Sequence, residues 1–353
     1  MPQLATFISH RDFHYIDHLA PLSSLLDIPL IVSSEEVETL VNNFYPEVKV
    51  FQVPPLELLS FFNSRFDIIF TCLPTPMFKA ITFSLETSDK NNLLNIWCPH
   101  GNSDKGHHTL FMEGLNQEKV ALVYGQKMID FLSAKGSYNQ LESVITVGNY
   151  RYKHYSKHKA ALDAHFQSLF SFNSNPIIFY APTWKDSENN SSFDHVFERL
   201  VDDLPDHFNL IVKLHPNTFS SPELLEIFSF RYSQKKNLLI LPEFPPIYPI
   251  LNGVDIYLGD MSSIGYDFLT FRKPMFFLNI QKRNPKTDPS LQLAQCGTVI
   301  NPQDFDKIYS IIENCSPIGF TKEQDALYDA VFGAEDPIKE NVLQYYEQTQ
   351  AIS

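Results

Sequence analysis

Short runs of apolar residues alternate along the chain with longer segments whose apolar positions recur at helical spacing. The short runs predict strands at Leu4–Ser9, Pro29–Val32, Val48–Val53, Asp67–Cys72, Leu93–Cys98, Ala121–Tyr124, Ser143–Val147, Pro176–Tyr180, Phe208–Lys213, Leu238–Leu241, Asp255–Leu258 and Met275–Leu278. The longer segments predict helices at Tyr15–Leu26, Leu56–Ser64, Lys127–Lys135, Phe193–Asp203, Pro222–Phe230, Ile264–Arg272 and Ile338–Gln348. Because strands that alternate with helices form βαβ units, the pattern predicts an α/β protein with parallel sheets.

The alternation is interrupted between Asn149 and Asn175, where a basic stretch is followed by a turn-rich one. We therefore expect one domain over residues 1–170, a second over 171–335, and a C-terminal helix over 336–353 that packs back on the first. Open α/β sheets bind ligands at the carboxyl ends of their strands. Two such domains facing each other predict a ligand site in the cleft between them.

Composition narrows the classes of function. The 353 residues carry a formal net charge of −14, which argues against a nucleic-acid partner and against broad attraction to anionic lipid. We see no signal peptide, no membrane span and no cysteine pair with metal-binding spacing, so we expect a cytoplasmic protein. The basic segment Arg151–Lys159 is the one candidate for peripheral contact with the inner face of the membrane, although a solvated interdomain segment is the favoured interpretation.

Four short segments carry candidate chemistry at the ends of predicted strands. The first is Ile96–Lys105, in which His100 is placed as a general base and Gly101 permits a tight turn. Lys105 can meet a phosphate. A hydrogen-bonded loop histidine is the alternative, and the adjacent His107 and His108 are not expected to form a zinc site, because neighbouring residues point apart.

The second segment is Phe179–Asp186, which follows the first strand of the second domain. Thr183 offers a hydroxyl, Trp184 a flat face for a base or sugar, and Lys185 a positive charge. A solvated loop with a packed tryptophan is the alternative.

The third segment is Leu210–Asn217, a strand that ends in Lys-Leu-His-Pro. Strand alternation sends Lys213 and His215 to the same face, where burying both without a partner would be costly. The pair therefore favours a functional role at the rim of the strand.

The fourth segment is Gly259–Asp267, a strand end followed by a serine turn and a helix. Ser262 or Ser263 can cap the helix, and free N–H groups beside two hydroxyls attract phosphate. We therefore expect a phosphate-binding turn that includes Asp260, with a capped helix and no ligand as the alternative.

In this order and spacing, the segments resemble the CDP-glycerol glycerophosphotransferase family, whose members prime or polymerise teichoic-acid-type phosphopolyols. The matching residues are His100, Gly101 and Lys105, then Tyr180 to Asp186, then Lys213, His215 and Pro216, then Asp260, Ser262, Ser263 and Asp267. The resemblance covers residues 90–280 and implies the GT-B fold, in which two Rossmann-like domains face each other.

The resemblance also implies roles for individual residues. His100 is similar to the base that deprotonates the acceptor hydroxyl, and His215 to the histidine that assists the donor pyrophosphate. Ser262 and Ser263 resemble a cradle for the donor phosphates. It implies an acceptor-side first domain, a nucleotide-donor second domain, no metal and no cofactor, with a CDP-linked donor and a glycan or lipid-linked acceptor as partners.

Three other functions remain open on the sequence. One is a metal-independent GT-B glycosyltransferase that uses a nucleotide sugar. Another is a non-catalytic nucleotide-binding module, which the two histidines disfavour. The last is an epimerase acting on UDP-sugars.

Overall fold

A computed structural model describes residues 2–10, 12–82, 93–106, 113–185, 188–215, 218, 222–315 and 317–352. It divides into two compact units. The first comprises Met1–His100, Met112–His158 and Asp329–Ser353, and the second comprises Gly101–Phe111 and Lys159–Tyr328. Among the residues of the sequence motifs, those outside the described ranges are His107, His108, Asp186, Pro216 and Asn217.

The first unit contains a parallel sheet with seven strands in its described residues. The strands are β1 (Leu4–Ile8), β2 (Leu30–Val32), β3 (Val50–Gln52), β4 (Ile68–Thr71), β5 (Leu94–Trp97), β6 (Val120–Val123) and β7 (Ser143–Thr146), in the order β3-β2-β1-β4-β5-β6-β7. The central strands β1 and β4 are fully buried, as expected of near-continuous apolar runs covered on both faces.

Helices cover this sheet through aromatic-rich contacts. They are α1 (Ile16–Leu26), α2 (Glu35–Phe44), α3 (Leu58–Arg65), α4 (Thr75–Ile81), α5 (Gln126–Ala134) and α6 (Tyr150–Gln167), of which α6 continues into the second unit. The ring of Phe7 on β1 packs edge-on against Phe62 of α3, with centroids 5.2 Å apart. Phe78 of α4 lies against both rings and completes the cluster.

The second unit contains a parallel sheet with six strands in the part of the chain that is described. The strands are β8 (Ile177–Ala181), β9 (Asn209–Val212), β10 (Leu238–Ile240), β11 (Ile256–Gly259), β12 (Met275–Leu278) and β13 (Thr298–Ile300), in the order β10-β9-β8-β11-β12-β13. Strands β8 and β11 are neighbours at its centre. Two candidate segments that are far apart in sequence therefore leave the sheet side by side.

The helices of the second unit begin with α7 (Phe193–Asp202), α8 (Pro222–Arg231), α9 (Ile247–Gly253) and α10 (Ser263–Phe268), followed by α11 (Ile308–Asn314) and α12 (Thr321–Phe332). The predicted helix Ile264–Arg272 is α10 followed by a 3-10 turn over Leu269–Phe271. Arg272 ends that turn in the left-handed conformation, at φ 51°. The element therefore ends at a backbone reversal that precedes Pro274.

The C-terminal helix α13 (Ile338–Ile352) packs back on the first unit, as predicted. The hydroxyl of Tyr345 donates to Glu142 Oε2 at 2.6 Å, next to β7. The hydroxyl of Tyr346 donates to Asp67 Oδ1 at 3.3 Å, ahead of β4. Val342, one turn earlier on the same helix, is fully buried, so the helix is held by both apolar and polar contacts.

The unit boundaries differ from the predicted ones. The expected boundary near residue 170 lies instead between His158 and Lys159, inside α6, and a second crossing lies inside α12 rather than at residue 335. The stretch from 149 onward looked like a seam because it is polar and lacks a clear apolar stripe. Its first part nevertheless forms one long helix, α6, over Tyr150–Gln167.

The candidate membrane-binding segment Arg151–Lys159 lies within α6, and several of its side chains are buried inside the protein. Arg151 is buried and forms an ion pair with Asp17, and Tyr150 and Tyr155 are also buried. This contradicts a docking surface built on these three side chains, because none of them reaches solvent. In the described residues, no helix is both long enough and apolar enough to cross a membrane.

Candidate functional site

The loop that begins at Gly101 packs directly on the serine turn of the second unit. Gly101 has φ +121°, a conformation that side chains rarely adopt. A Cβ atom added there would lie 2.6 Å from Ser263 Cβ and 3.1 Å from Ser263 Oγ. Glycine is therefore required both by the backbone conformation and by the close approach, and the first and fourth sequence segments are brought together.

Asp104 fixes the same loop from the other side. Its carboxylate is fully buried, accepts a hydrogen bond from the hydroxyl of Tyr266 on α10, and accepts a second from Leu293 N at 2.9 Å. Burial and the adjacent carboxylate hold the pKa of Tyr266 well above its usual value. Burying a carboxylate is costly, and the two donors offset part of that cost while they fix the position of the Asp104 side chain.

Lys105 and Thr183 join the first segment to the second. Lys105 Nζ donates to Thr183 Oγ1 and lies 6.0 Å from the centre of the Trp184 ring system. Lys105 N also donates to Ser103 Oγ at 3.0 Å, which sets the turn of its own loop. A cation, a hydroxyl and an aromatic face therefore lie together at the carboxyl end of β8, an arrangement that can contact an anion and a flat ring.

Asp260 is the central anchor of the cluster. It follows β11 and is almost completely buried, and its Oδ2 accepts from Thr183 N at 2.8 Å and from Ser192 N at 3.1 Å. Burial raises the pKa of Asp260 to about 6, although its hydrogen bonds and the charge of Lys105 act in the opposite direction. Its Oδ1 is buried and has no hydrogen-bond partner among the described residues.

The serine turn is held by backbone and tyrosine contacts rather than by a side-chain cap. Ser262 is the residue before α10, with φ −116° and ψ 163°, and its N donates to Asp260 O at 2.8 Å. Its Oγ lies 3.1 Å from the hydroxyl of Tyr257. Ser262 makes no side-chain capping bond to α10, and Ser263 is only partly buried. At the strand end, the side chain of Ser262 therefore lies beside Tyr257 and that of Ser263 beside Gly101.

The third segment reaches the cluster through Trp184. The His215 ring lies 6.0 Å from that of Trp184, at an interplanar angle of 31°. Lys213 Nζ donates to Phe244 O at 3.2 Å, so the lysine is tied to the loop after β10. Trp184 and His215, which were selected because each follows a predicted strand, therefore lie close together.

Two predicted residues lie apart from this group. Lys185 is exposed, with its Nζ 3.8 Å from Asp194 Oδ2. Asp267 is buried within α10 and accepts a hydrogen bond from the Tyr248 hydroxyl at 3.3 Å. Asp267 therefore has a structural hydrogen bond inside the second unit in addition to its place in the sequence motif.

His100 is the last residue of the first of the three stretches that make up the first unit, and it sits against two rings from the start of that unit. Its ring centroid is 5.1 Å from that of Tyr15 and 5.8 Å from that of His14. The residue as a whole is partly exposed, but Nδ1 is buried and has no hydrogen-bond partner among the described residues. Burial, and to a smaller degree His14, lowers the pKa of His100 to about 4, so the imidazole is neutral at pH 7.

Several residues of the site were absent from the sequence predictions. Asp104 and Tyr257 hold the loop and the turn, and Ser192 shares Asp260 with Thr183. Asp104 carried a usable signal, because a carboxylate between a glycine turn and a lysine in one strand-end loop is unusual. Ser192 and Tyr257 carried none, since each acts through a contact distant in sequence or buried in a strand.

Comparison with known proteins agrees with the family resemblance seen in the four sequence segments. The family described as CDP-Glycerol:Poly(glycerophosphate) glycerophosphotransferase matches residues 115–285, a range that includes the second, third and fourth segments and begins after Lys105. The teichoic acid glycerol-phosphate primase of Bacillus spizizenii is 28% identical over 153 residues, which are 40% of this chain and 38% of that protein. The match thus spans well under half of the length of that relative.

Solved structures share the fold across almost the whole chain. A variant of the wall teichoic acid polymerase TagF has a TM-score of 0.67 at 13% identity, covering 99% of this chain and 90% of that one. MnaA of S. aureus, solved with UDP, has a TM-score of 0.57 at 15% identity, covering 99% and 97%. These likenesses confirm the GT-B class with two Rossmann-like domains. The family match over residues 115–285 and the identity to the primase confirm the resemblance of this chain to the CDP-glycerol glycerophosphotransferase family.

Proposed function

We propose that this protein is a transferase that moves a phosphoalditol group, such as glycerol phosphate, from a CDP-activated donor to a glycan or lipid-linked acceptor. The product belongs to the synthesis of a cell-envelope polymer. The observation that carries the proposal is the contact of Lys105 with Thr183 beside Trp184, which unites two segments of the family pattern. The match to the glycerophosphotransferase family over residues 115–285 supports the donor class.

The donor half of the reaction is assigned to the second unit. Lys105 and Lys213 supply positive charge, and the hydroxyls of Ser262 and Ser263 supply hydrogen bonds to the donor phosphates. His215 assists the pyrophosphate, and Trp184 offers its ring to the cytosine or the ribose. Such preorganised donors and cations stabilise the negative charge that develops on the departing nucleotide.

Asp260 is assigned a positioning role in the same half. Its buried carboxylate fixes the backbone at Thr183 and Ser192, and it thereby holds the hydroxyl that Lys105 contacts. A carboxylate so fully buried orients its neighbours and does not itself present charge to a phosphate. Gly101 contributes by letting the loop approach Ser263.

The proton of the acceptor is assigned to His100. The acceptor oxygen forms a bond to the phosphorus that carries the alditol, and the bond from that phosphorus to the bridging oxygen breaks. CMP leaves with the electron pair, while the neutral imidazole of His100 takes the proton of the acceptor hydroxyl. The unpartnered Nδ1 and the lowered pKa support a histidine that is uncharged and ready to accept a proton at pH 7.

A donor panel tests the proposal. The purified protein is incubated with CDP-glycerol, CDP-ribitol or UDP-N-acetylglucosamine and a short-chain lipid-linked disaccharide, and nucleotide release is followed by chromatography. We expect CMP release that depends on the acceptor and exceeds release from the UDP-sugar by at least about 100-fold, since a site built for one group rejects a different one strongly. Preferential release of UDP would replace this function by that of a nucleotide-sugar glycosyltransferase.

A further inference from the structure

Glu47, His154 and His158 come together in the first unit, and none of them is assigned to the transfer reaction. His154 and His158 are one helical turn apart on α6, with their rings stacked at 4.5 Å. Glu47 lies in the segment between α2 and β3, and its Oε1 is 2.6 Å from His154 Nε2 and 3.8 Å from His158 Nε2. The three ligand atoms all lie within 4.8 Å of one another.

This set of atoms has the chemistry of a transition-metal site. Two imidazole nitrogens and a carboxylate oxygen are ligands of Zn²⁺ and of related divalent ions, at bond lengths of about 2.0–2.2 Å. Three protein ligands leave a fourth position for water. His158 Nε2 is buried and has no hydrogen-bond partner among the described residues, although it points toward Glu47. A buried nitrogen left in this way calls for a partner.

The surroundings fix the side chain of His154 and leave those of His158 and Glu47 free to move. His154 is buried, and the Tyr45 ring lies 5.4 Å from it. The Tyr45 hydroxyl donates to Asp17 Oδ1 at 2.7 Å, and Arg151 pairs with the same carboxylate, which fixes α6 against this segment. The side chains of His158 and Glu47 are 28% and 29% exposed, so they can shift to the separation of about 3.4 Å that a tetrahedral ion requires.

We propose that Glu47, His154 and His158 form a binding site for a divalent transition-metal ion of the Zn²⁺ type, with water as the fourth ligand. The bound ion would tie α6 to the segment that follows α2 and would stabilise the first unit without entering the chemistry of transfer. This group was not predicted from the sequence, because Glu47 stands 107 positions before His154. The spacing of four between the histidines was the available signal.

The test is metal binding by the full chain after removal of metals with a chelator. Titration calorimetry with ZnCl₂ should give one site per chain, and CoCl₂ should give visible absorption from a cobalt ion with nitrogen ligands. MgCl₂ should show no comparable affinity, because Mg²⁺ prefers oxygen ligands. Zn²⁺ should also raise the melting temperature, since it binds the folded state alone.

His158→Ala and Glu47→Gln should each weaken Zn²⁺ binding by about 100-fold or more. His207→Ala is the matched control, because His207 Nε2 makes the same 2.6 Å contact with a glutamate, Glu313 Oε1, in the second unit. Unchanged affinity in the two site variants, or an equal loss in the control, would overturn the site. Should both site variants melt below the assay temperature, the Co²⁺ spectrum of the unaltered protein decides, and its absence rejects the proposal.

Discussion

Replacing Asp260 by asparagine should make the protein more stable at pH 7.5. The side chain is almost completely buried, and its charge is opposed by desolvation more strongly than it is supported by its hydrogen bonds and Lys105. Asparagine keeps an oxygen to accept from Thr183 N and Ser192 N. Its amide group takes the position of Oδ1, which has no hydrogen-bond partner in the described residues, so no hydrogen bond is lost.

The size of the effect follows from the pKa of Asp260, which burial raises from 3.8 to about 6. A difference of this size between the folded and unfolded pKa corresponds to about 3 kcal/mol of unfolding free energy. The folded state binds the proton more tightly, so this contribution to stability is present below pH 3.8 and is lost as the pH rises through about 6. The advantage of the variant should be greatest at pH 7.5 and fall to about a third by pH 4.5.

Urea unfolding followed by circular dichroism at pH 7.5 and pH 4.5 measures both values. Asp255→Asn serves as the control, because its exposed carboxylate also accepts a backbone hydrogen bond beside β11. That change should alter the unfolding free energy by no more than about 0.5 kcal/mol at either pH. An Asp260→Asn variant that is less stable than the original at pH 7.5, or a gap that is equal at both pH values, would refute the reasoning.

Four further predictions concern catalysis and nucleotide binding. His100→Ala should lower turnover by about 10²–10⁴-fold with donor affinity nearly unchanged, and His207→Ala should not, as steady-state kinetics and donor calorimetry will show. Because the pKa of His100 is about 4, kcat/KM should hold level as the pH falls through 6.5, and an acid limb centred at 6.5 would count against this assignment. In a Trp97→Phe background, Trp184 fluorescence should change when CMP binds, whereas an unchanged signal with a bound nucleotide would remove Trp184 from the site. Transfer should persist in EDTA, and loss of turnover that Mg²⁺ restores would show a catalytic metal.

Much of the fold could be predicted because its strands are apolar runs between clear breaks. The segment Met275–Leu278 is β12 without a change of boundary, and β8 and β11 begin and end within one residue of their predictions. Strand β13 was missed. It has only three residues, between Gly297 and a proline turn, and such a run carries no periodicity.

Helix α6 shows where local patterns lose their meaning. The buried residues in its first two turns are tyrosines, a histidine and Arg151, and Arg151 is paired with Asp17, which is far away in sequence. A reader of the sequence sees a basic, aromatic stretch and expects solvent. The tertiary contacts decide otherwise.

Some features of the candidate site could likewise be predicted from the sequence, and others could not. Strand ends predicted which segments carry Lys105, Thr183, Trp184 and His215, because parallel sheets gather their functional loops at one edge. The close approach of Gly101 to Ser263 could not be predicted, since it depends on how two loops meet in space.

The fate of the transferred phosphorus tests the central claim most directly. CDP-glycerol is prepared with ³²P at the phosphorus that carries the glycerol, and it is incubated with the protein and the lipid-linked disaccharide. The proposed reaction moves this atom to the acceptor, so the label should appear in the lipid-linked product and the released CMP should be unlabelled. Label that remains with the nucleotide, or an acceptor that gains glycerol without the labelled phosphorus, would contradict phosphoalditol transfer.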